Sequence, residues 1–188
     1  MIINNDTIIK DSDPRIRQVS QPVSLPLSKE DEDLLRQMFK YVVDSTDEEL
    51  AEKENLRPAV GISAIQLGIP KQLTAVYFED VDKNGEPVTR EFMLANPHIV
   101  SSSLQKAYLK GGEGCLSVEE EHEGYVVRSA RIKVKAFDLI RNSEVEIRAR
   151  GYLAIVLQHE IDHFSGILFY DRINAEDPFK EIEGAMTI

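Results

Sequence analysis

Hydrophobic residues recur at helical spacing in two well-separated parts of the chain, which predicts two helices. The first is expected to begin after Ser28, a good N-cap, with acidic residues in its first turn where the helix dipole favours them. Residues 47–55 continue either as a helix or as an ordered insertion. The second helix is expected over residues 152–165, with Gly166 as its C-terminal stop. The apolar positions of the first helix are Leu34, Leu35, Met38, Tyr41 and Val42.

Between the two helices the pattern changes to a period of two, which predicts strands. The clearest case is residues 131–137, where basic and apolar residues alternate and indicate one wet face and one buried face. The Asn84-Gly85 pair predicts a hairpin turn over residues 82–85. Strands are expected at residues 73–78, 92–94, 107–109, 130–138 and 144–150.

This order of elements predicts an α+β fold, with mainly antiparallel sheets packed around the second helix. Residues after Arg172 give a weak pattern, and they form either a strand along the body or a mobile tail. The 188 residues are expected to make one catalytic domain spanning 1–188, because this length buries a sufficient core.

Composition and charge narrow the classes of function. The formal net charge of −11 argues against nucleic acids and anionic membranes as partners, since both need a basic face. The N-terminal residues show no signal-peptide pattern, and no window approaches 18 consecutive apolar residues, so a cytoplasmic location is expected. The chain has one cysteine, which excludes an intramolecular disulfide.

Candidate metal-binding and catalytic residues lie in the second predicted helix, where residues 158–163 read QHEIDH and contain an HExxH pattern. His159 and His163 are four residues apart, so a helix presents both imidazoles on one face, where they can share a metal ion. Glu160 lies beside them as a candidate general base. The alternative interpretation is that two histidines fall at this spacing by chance on a surface helix.

A catalytic metal site also needs a third protein ligand and an open position for water. No histidine follows His163, and the upstream candidate is Cys115 in the segment GGEGCLS, residues 111–117. A thiolate binds borderline and soft metals well, although a lone cysteine is more often buried and inert. The flanking glycines favour the metal interpretation, because they allow close backbone approach and leave the Leu116 N–H free to face a ligand.

A third segment completes a pattern that the first two segments form only in part. Residues 59–66 read AVGISAIQ, in which small residues precede the amide donor of Gln66. The segments AVGISAIQ, EGCLS and QHEIDH, in this order, together resemble the peptide deformylase family, and the likeness continues through residues 166–171. The first segment departs from the family pattern at Ala59, usually glycine, and at Ser63, usually alanine. The acidic insertion over residues 44–56 resembles the larger subgroup found in Gram-positive bacteria.

The resemblance implies a metal-dependent hydrolase that removes the N-formyl group from the formyl-methionine of newly made polypeptides and releases formate. Cys115, His159 and His163 would hold one divalent metal ion. Fe(II) is the usual native metal of the family, with Zn(II), Ni(II) or Co(II) as alternatives in a purified sample. The implied partners are nascent polypeptide N-termini, with a transient ribosome contact, no nucleic-acid motif and no membrane.

The remaining site residues receive roles by the same resemblance. Glu160 would act as general base, while the Gln66 side chain and the Leu116 backbone N–H would stabilise the developing oxyanion. Gly61 and Gly114 would contact the substrate, which can lie extended as an added strand.

Other interpretations stay open on the residues alone. A zinc peptidase is disfavoured by the missing downstream ligand, and a non-catalytic metal protein would need neither Glu160 nor Gln66. Glu113 is either an exposed acid or a residue that pairs with Arg128 and orients a ligand. Ser117 and Asp162 are either polar surface residues or supports of the site, whereas His98 and His122 are expected to be structural or exposed.

Overall fold

A computed structural model describes residues 1–188. Three α-helices and eight strands make up the fold, joined by short 3₁₀ turns. In chain order they are α1 (Lys29–Asp44), α2 (Glu48–Glu54), β1 (Gly61–Ser63), β2 (Leu73–Val81), β3 (Pro87–Ser102), β4 (Lys106–Tyr108), β5 (Arg128–Ser129), β6 (Arg131–Asp138), β7 (Ser143–Arg150), α3 (Gly151–Asp162) and β8 (Met186–Thr187).

The first predicted helix is confirmed as α1, and its N-terminus forms for the predicted reason. The Ser28 hydroxyl accepts a hydrogen bond from the Asp31 N–H at 3.1 Å, which satisfies one of the free donors of the first turn. The apolar stripe is buried, with Leu35 and Met38 fully inaccessible. Residues 47–55 resolve into the helix α2, which ends at Asn55 in the left-handed conformation, φ +56°.

Five strands form one sheet in the order β1-β2-β3-β6-β7, with every neighbouring pair antiparallel. The predicted turn at residues 82–85 joins β2 to β3. The remaining strands form a small sheet in the order β5-β4-β8, in which β8 lies parallel to β4. The chain after Arg172 therefore returns along the body and ends as a strand.

The α3 helix lies between the two sheets, as the predicted α+β arrangement requires. Leu153 and Leu157 pack with residues of β2, β3, β6 and β7, whereas Ile155 packs with Ala107 of β4 and Ala130 beside β5. The helix is apolar on most of its circumference because sheet residues cover it on several sides. The helix α1 covers the opposite face of β2 and β3.

Several predicted boundaries were wrong. The helix expected at 152–165 begins at Gly151 and is α-helical only to Asp162, after which His163–Ser165 form a 3₁₀ turn. Residues 92–94 are the middle of a strand of 16 residues, whereas the strand expected at 130–138 is confirmed as β6 to within one residue. The ends of β3 are largely exposed and mix polar with apolar residues, so they lack the alternation that predicts a strand. None of the helices has both the length and the apolar character needed to cross a membrane.

Candidate metal and catalytic site

Cys115, His159 and His163 meet, although they come from different segments. His159 lies in the last turn of α3, His163 follows that helix directly, and Cys115 belongs to the loop between β4 and β5. Their ligand atoms all lie within 4.8 Å of one another, and the Cys115 Sγ is 3.5 Å from the His163 Nε2. The three residues predicted as metal ligands thus form one cluster.

The spacing of this cluster fits a tetrahedral ion. With bonds of about 2.3 Å to sulfur and about 2.1 Å to nitrogen, two such donor atoms lie about 3.5 Å apart. Burial and the charge of His159 lower the pKa of His163 well below its usual value, which favours the neutral imidazole that binds metals. Burial also lowers the pKa of His159, but Cys115 and Glu113 outweigh it and raise this pKa well above its usual value. A bound cation would displace that proton.

A chain of ion pairs orients His159 through its Nδ1 atom, on the side of the ring away from the cluster. The His159 Nδ1 lies 2.9 Å from Glu113 Oε1, which leaves Nε2 free to face the cluster. Arg128 donates two hydrogen bonds to the Glu113 carboxylate, at 2.7 and 2.8 Å, and a third to Asp162 at 2.9 Å. Arg172 donates two more to Asp162, each at 2.6 Å. Glu113 thereby orients His159, a candidate metal ligand, and Asp162 links Glu113 to the end of α3.

The ion pairs also fix the charge of Glu113. Burial raises the pKa of Glu113, but the hydrogen bonds from Arg128 and His159 outweigh burial and bring that pKa below its usual value. The carboxylate is therefore ionised and can accept the Nδ1 proton of His159, which sets the tautomer of the imidazole.

Glu160 is buried and reaches toward β1 rather than toward solvent. Its Oε2 accepts a hydrogen bond from the Ser63 hydroxyl at 2.8 Å. Its Oε1 lies so close to Gly61 that a Cβ atom at that position would be 2.5 Å away. Burial raises the pKa of Glu160, and the opposing effects of His159 and Ser63 do not cancel it. A raised pKa suits a group that accepts and returns a proton near neutral pH.

Gln66 is held in one orientation by its neighbours. It lies in the 3₁₀ turn Ala64–Leu67 that follows β1, and its Oε1 accepts a hydrogen bond from the Ser63 N–H at 2.9 Å. Its Nε2 donates to Ser117 Oγ at 3.2 Å and lies 3.4 Å from the Cys115 sulfur. Ser117 is therefore a support for Gln66, and the amide donor faces the cluster.

The backbone N–H of Leu116 makes no hydrogen bond within the protein. The carbonyl of the same residue accepts a hydrogen bond from Lys10 Nζ at 3.1 Å, which anchors this part of the loop. Leu116 borders the cavity next to Cys115, so a donor without a protein partner lies beside the cluster.

An open cavity of about 420 Å³ leads to the cluster. The strand β1 is an edge strand of the large sheet, and Gly61 lines the cavity from that side. Gly114 lines it from the glycine-rich loop, where nothing lies within 4 Å of the position of a Cβ. Leu109, Ile155 and Val156 form an apolar wall.

All the predicted site residues except His163 line this cavity, and His163 lies behind it in contact with Cys115. Sequence reasoning missed the hydroxyl contact of Ser63, because its partner is 97 positions away. It also missed the apolar wall, whose helical residues follow the same spacing as ordinary core positions. His98 is exposed and His122 stacks on Tyr170 with ring centroids 4.2 Å apart, so both lie outside the cluster.

Comparison with known proteins agrees with this geometry. The family model described as polypeptide deformylase matches residues 5–179. A peptide deformylase of Oceanobacillus iheyensis is 48% identical over 187 residues, covering 100% of both chains. Peptide deformylase 2 of Bacillus subtilis is 45% identical over 187 residues, covering 100% of this chain and 99% of that relative.

Solved structures give the same result at lower identity. The peptide deformylase of Ehrlichia chaffeensis superposes with a TM-score of 0.70 at 30% identity, covering 95% of this chain and 91% of that one. A peptide deformylase of Acinetobacter baumannii bound to Met-Ala-Ser superposes with a TM-score of 0.69 at 28% identity, covering 92% of this chain and 100% of that one.

Proposed function

Because this chain belongs to the polypeptide deformylase family, we propose how its own residues carry out the reaction of that family. Family members are metal-dependent hydrolases that remove the N-formyl group from nascent polypeptides. The observation that carries the proposal is the meeting of Cys115, His159 and His163 beside the buried carboxylate of Glu160. The family assignment decides against an endopeptidase and against a non-catalytic metal protein.

Cys115, His159 and His163 are the proposed ligands of one divalent ion. When bound, such an ion polarises a carbonyl group and makes a water molecule more acidic. We propose Fe(II) as the native ion, with Zn(II), Ni(II) or Co(II) as substitutes, because one thiolate and two imidazoles suit all four. Glu113 holds His159 in the orientation that this role requires.

Glu160 is the proposed general base. It takes a proton from the water that attacks the formyl carbon and gives it to the amine that leaves. Its burial supports this role, because a raised pKa lets the carboxylate hold the proton between the two steps. Formate and a free amino terminus result.

Gln66 and Leu116 are the proposed donors to the carbonyl oxygen as it gains negative charge. The Gln66 amide is fixed by Ser63 and Ser117, so it needs no reorganisation when the charge develops. The Leu116 N–H has no partner within the protein and is free to donate. Loss of one such donor typically slows turnover by about 10²–10³.

The substrate backbone is proposed to lie along β1 as an added strand. The outer edge of β1 borders the cavity, which Gly61 and Gly114 line from opposite sides, and the space beside the Gly114 backbone is open to a peptide. The apolar wall of Leu109, Ile155 and Val156 suits a methionine side chain. The related A. baumannii structure holds a tripeptide that begins with methionine.

The direct test measures formate release from a formyl-methionyl peptide by protein purified without oxygen, with metal content determined on the same sample. Glu160→Gln should keep the metal and lose about 10²–10⁴ in turnover. Cys115→Ala should lose both metal and activity. If Glu160→Gln turned over substrate at the wild-type rate, Glu160 would not be the general base. If Cys115→Ala kept its full metal content, Cys115 would not be a metal ligand.

We further propose that residues 1–188 act as one catalytic domain, because the cluster draws on segments from much of the chain. A cytoplasmic location is proposed because nascent chains are made there. A transient contact with the ribosome is supported by a basic face on the large sheet, even though the net charge is −11. That face carries Arg131 directly opposite Arg150 and Lys133 directly opposite Arg148.

The basic face lies opposite the one that packs on α3, since side chains alternate along a strand and Ile132 and Val134 are buried against the helix. Glu146 is the acid nearest these side chains, 3.8 Å from Lys133 and 3.6 Å from Arg148. Like charges placed directly opposite are unfavourable for the sheet, so a phosphate-rich partner would relieve their repulsion.

Co-sedimentation with ribosomes over a range of salt concentrations tests this contact. Lys133→Glu combined with Arg148→Glu should abolish binding while leaving turnover of a free formyl peptide unchanged. Arg36→Glu is the control: it reverses one charge on the exposed side of α1 and should have little effect on ribosome binding. Binding by the double variant at the wild-type level would contradict the proposal.

A further inference from the structure

Two residues of β1 bracket the carboxylate of Glu160. The Ser63 hydroxyl is 2.8 Å from Oε2 and 3.1 Å from the Glu160 backbone oxygen, and Ser63 is fully buried. The other carboxylate oxygen, Oε1, faces Gly61, where even a Cβ atom would not fit. The same strand that borders the cavity thus also fixes the orientation of the Glu160 side chain.

Ser63 is the only hydrogen-bond partner that the Glu160 side chain has within the protein. A buried ionised carboxylate without a partner is costly, and hydrogen bonds to a charged acceptor are the strong ones. Removal of this hydroxyl therefore leaves Oε2 unpaired and the carboxylate free to rotate.

The hydrogen of Ser63 has few competing acceptors. Thr74 Oγ1 lies 3.2 Å from the Ser63 hydroxyl and itself donates to the Ile62 carbonyl at 2.9 Å. Among the acceptors around Ser63, the Glu160 carboxylate is closest and is the one that carries charge. A hydroxyl can also accept a hydrogen bond, so the contact persists when the carboxyl group holds a proton.

We propose that Ser63 is a positioning residue that anchors Oε2 of Glu160 and leaves Oε1 as the oxygen that exchanges protons with the reacting groups. This inference rests on the proposed role of Glu160 as general base. The family pattern usually has alanine at this position, so the anchoring hydroxyl is a feature of this chain rather than a requirement of the fold.

The test compares Ser63→Ala with the wild-type enzyme on a formyl-methionyl peptide. The variant should lose about tenfold in kcat, with KM and metal content unchanged, because the defect lies in the orientation of the base and not in binding. Ser20→Ala is the matched control: Ser20 is also buried, but its hydroxyl has no hydrogen-bond partner, and its removal should leave kcat unchanged.

A double-mutant cycle separates positioning from a general structural effect. In a Glu160→Ala background, Ser63→Ala should have no further effect on the residual turnover. An equal loss in both backgrounds, an unchanged kcat in the single variant, or a loss of metal in proportion to activity would each overturn the inference. Full turnover by Glu160→Ala alone would instead refute the proposed base, whatever the result at Ser63.

Discussion

At the scale of single residues, the space beside Gly61 determines where the Glu160 carboxylate can lie. Oε1 and Cδ of Glu160 occupy the volume that a side chain at position 61 would take, at 2.5 and 2.9 Å from the Cβ position. Glycine is needed here because of close contact and not because of its backbone angles. A small residue on the edge strand is therefore coupled to the proposed base.

Gly61→Ala should displace the Glu160 side chain and reduce kcat on the order of 100-fold, since a misplacement of about 1 Å can cost that much. Metal content should remain at the wild-type level, because the atoms nearest the new methyl group belong to Glu160 and not to a proposed ligand. Steady-state kinetics with metal analysis checks the prediction. Gly111→Ala is the control, since nothing lies within 4 Å of its Cβ position. Equal activity of the two variants would contradict this account.

The sequence predicted the candidate catalytic and metal-binding residues better than the residues that hold them in place. Cys115, His159, Glu160 and Gln66 were predicted because each belongs to a short segment with a recognisable pattern. Ser63 was noted only as a small substitution, because its contact with Glu160 depends on how β1 packs against α3. Such contacts are set by tertiary structure and leave no local pattern.

At the scale of secondary-structure elements, Arg128 connects β5 to the end of α3. Its guanidinium is buried and bonds Glu113 in the glycine-rich loop and Asp162 in α3. The helix that carries His159 and leads directly into His163 is thereby joined to the loop that carries Cys115. The sequence offered the pair Glu113–Arg128 as one of two interpretations of Glu113 and left Asp162 undecided.

Arg128→Met should destabilise the protein by about 3–5 kcal/mol, because two largely buried carboxylates lose their shared partner. It should also weaken metal binding by about 10–100-fold, since Glu113 no longer holds its orientation toward His159. Urea unfolding and metal titration measure the two effects. Arg36→Met removes an exposed arginine without ion pairs and should change stability by less than about 0.5 kcal/mol. Similar stabilities of the two variants would be evidence that Arg128 does not stabilise the fold by joining Glu113 to Asp162.

Asp171 joins the segment after α3 to the N-terminal part of the chain. It accepts hydrogen bonds from Arg17 and from the Leu168 N–H, the latter at 2.8 Å. Burial raises the pKa of Asp171, but these bonds outweigh burial and lower it below its usual value. A carboxylate with a lowered pKa stabilises the fold above its unfolded pKa, about 3.9, and this stabilisation is lost as the pH falls through the folded pKa.

Asp171→Asn should therefore be less stable than the wild type at pH 7, with the difference shrinking as the pH falls below about 4. Urea unfolding between pH 7 and pH 3 measures this difference in the free energy of unfolding. Asp177→Asn changes an exposed aspartate whose side chain makes no hydrogen bond, and it should show no such trend. A constant difference between Asp171→Asn and wild type across this range would contradict the linkage.

At the scale of the whole molecule, the α+β class and the central position of α3 were predictable, because strands and helices differ in hydrophobic period. The pairing of β8 with β4 was not predictable, since two exposed residues near the end of the chain carry no strand pattern. The order of strands in the sheets could not be predicted either, because it depends on contacts between segments that are distant in the sequence. The net charge was known from the sequence, but the basic face required the register of β6 and β7.

Metal removal should destabilise the whole fold, because the proposed ion binds the native arrangement of Cys115, His159 and His163. At free metal about 100-fold above Kd, binding contributes about 2.7 kcal/mol. A chelator should lower the unfolding midpoint, and adding metal back should restore it. Cys115→Ala should respond to neither treatment. An unfolding midpoint that does not depend on metal in the wild type would contradict the cluster as a metal site.

The open edge of β1 has a consequence for timing during protein synthesis. The proposed strand addition requires a partner whose backbone donors and acceptors are not yet engaged, and a terminus already folded into its own sheet or helix offers none. The enzyme is therefore in competition with the folding of its substrates. It reaches each chain while the first few residues are still extended, and a formyl group enclosed by rapid folding escapes removal.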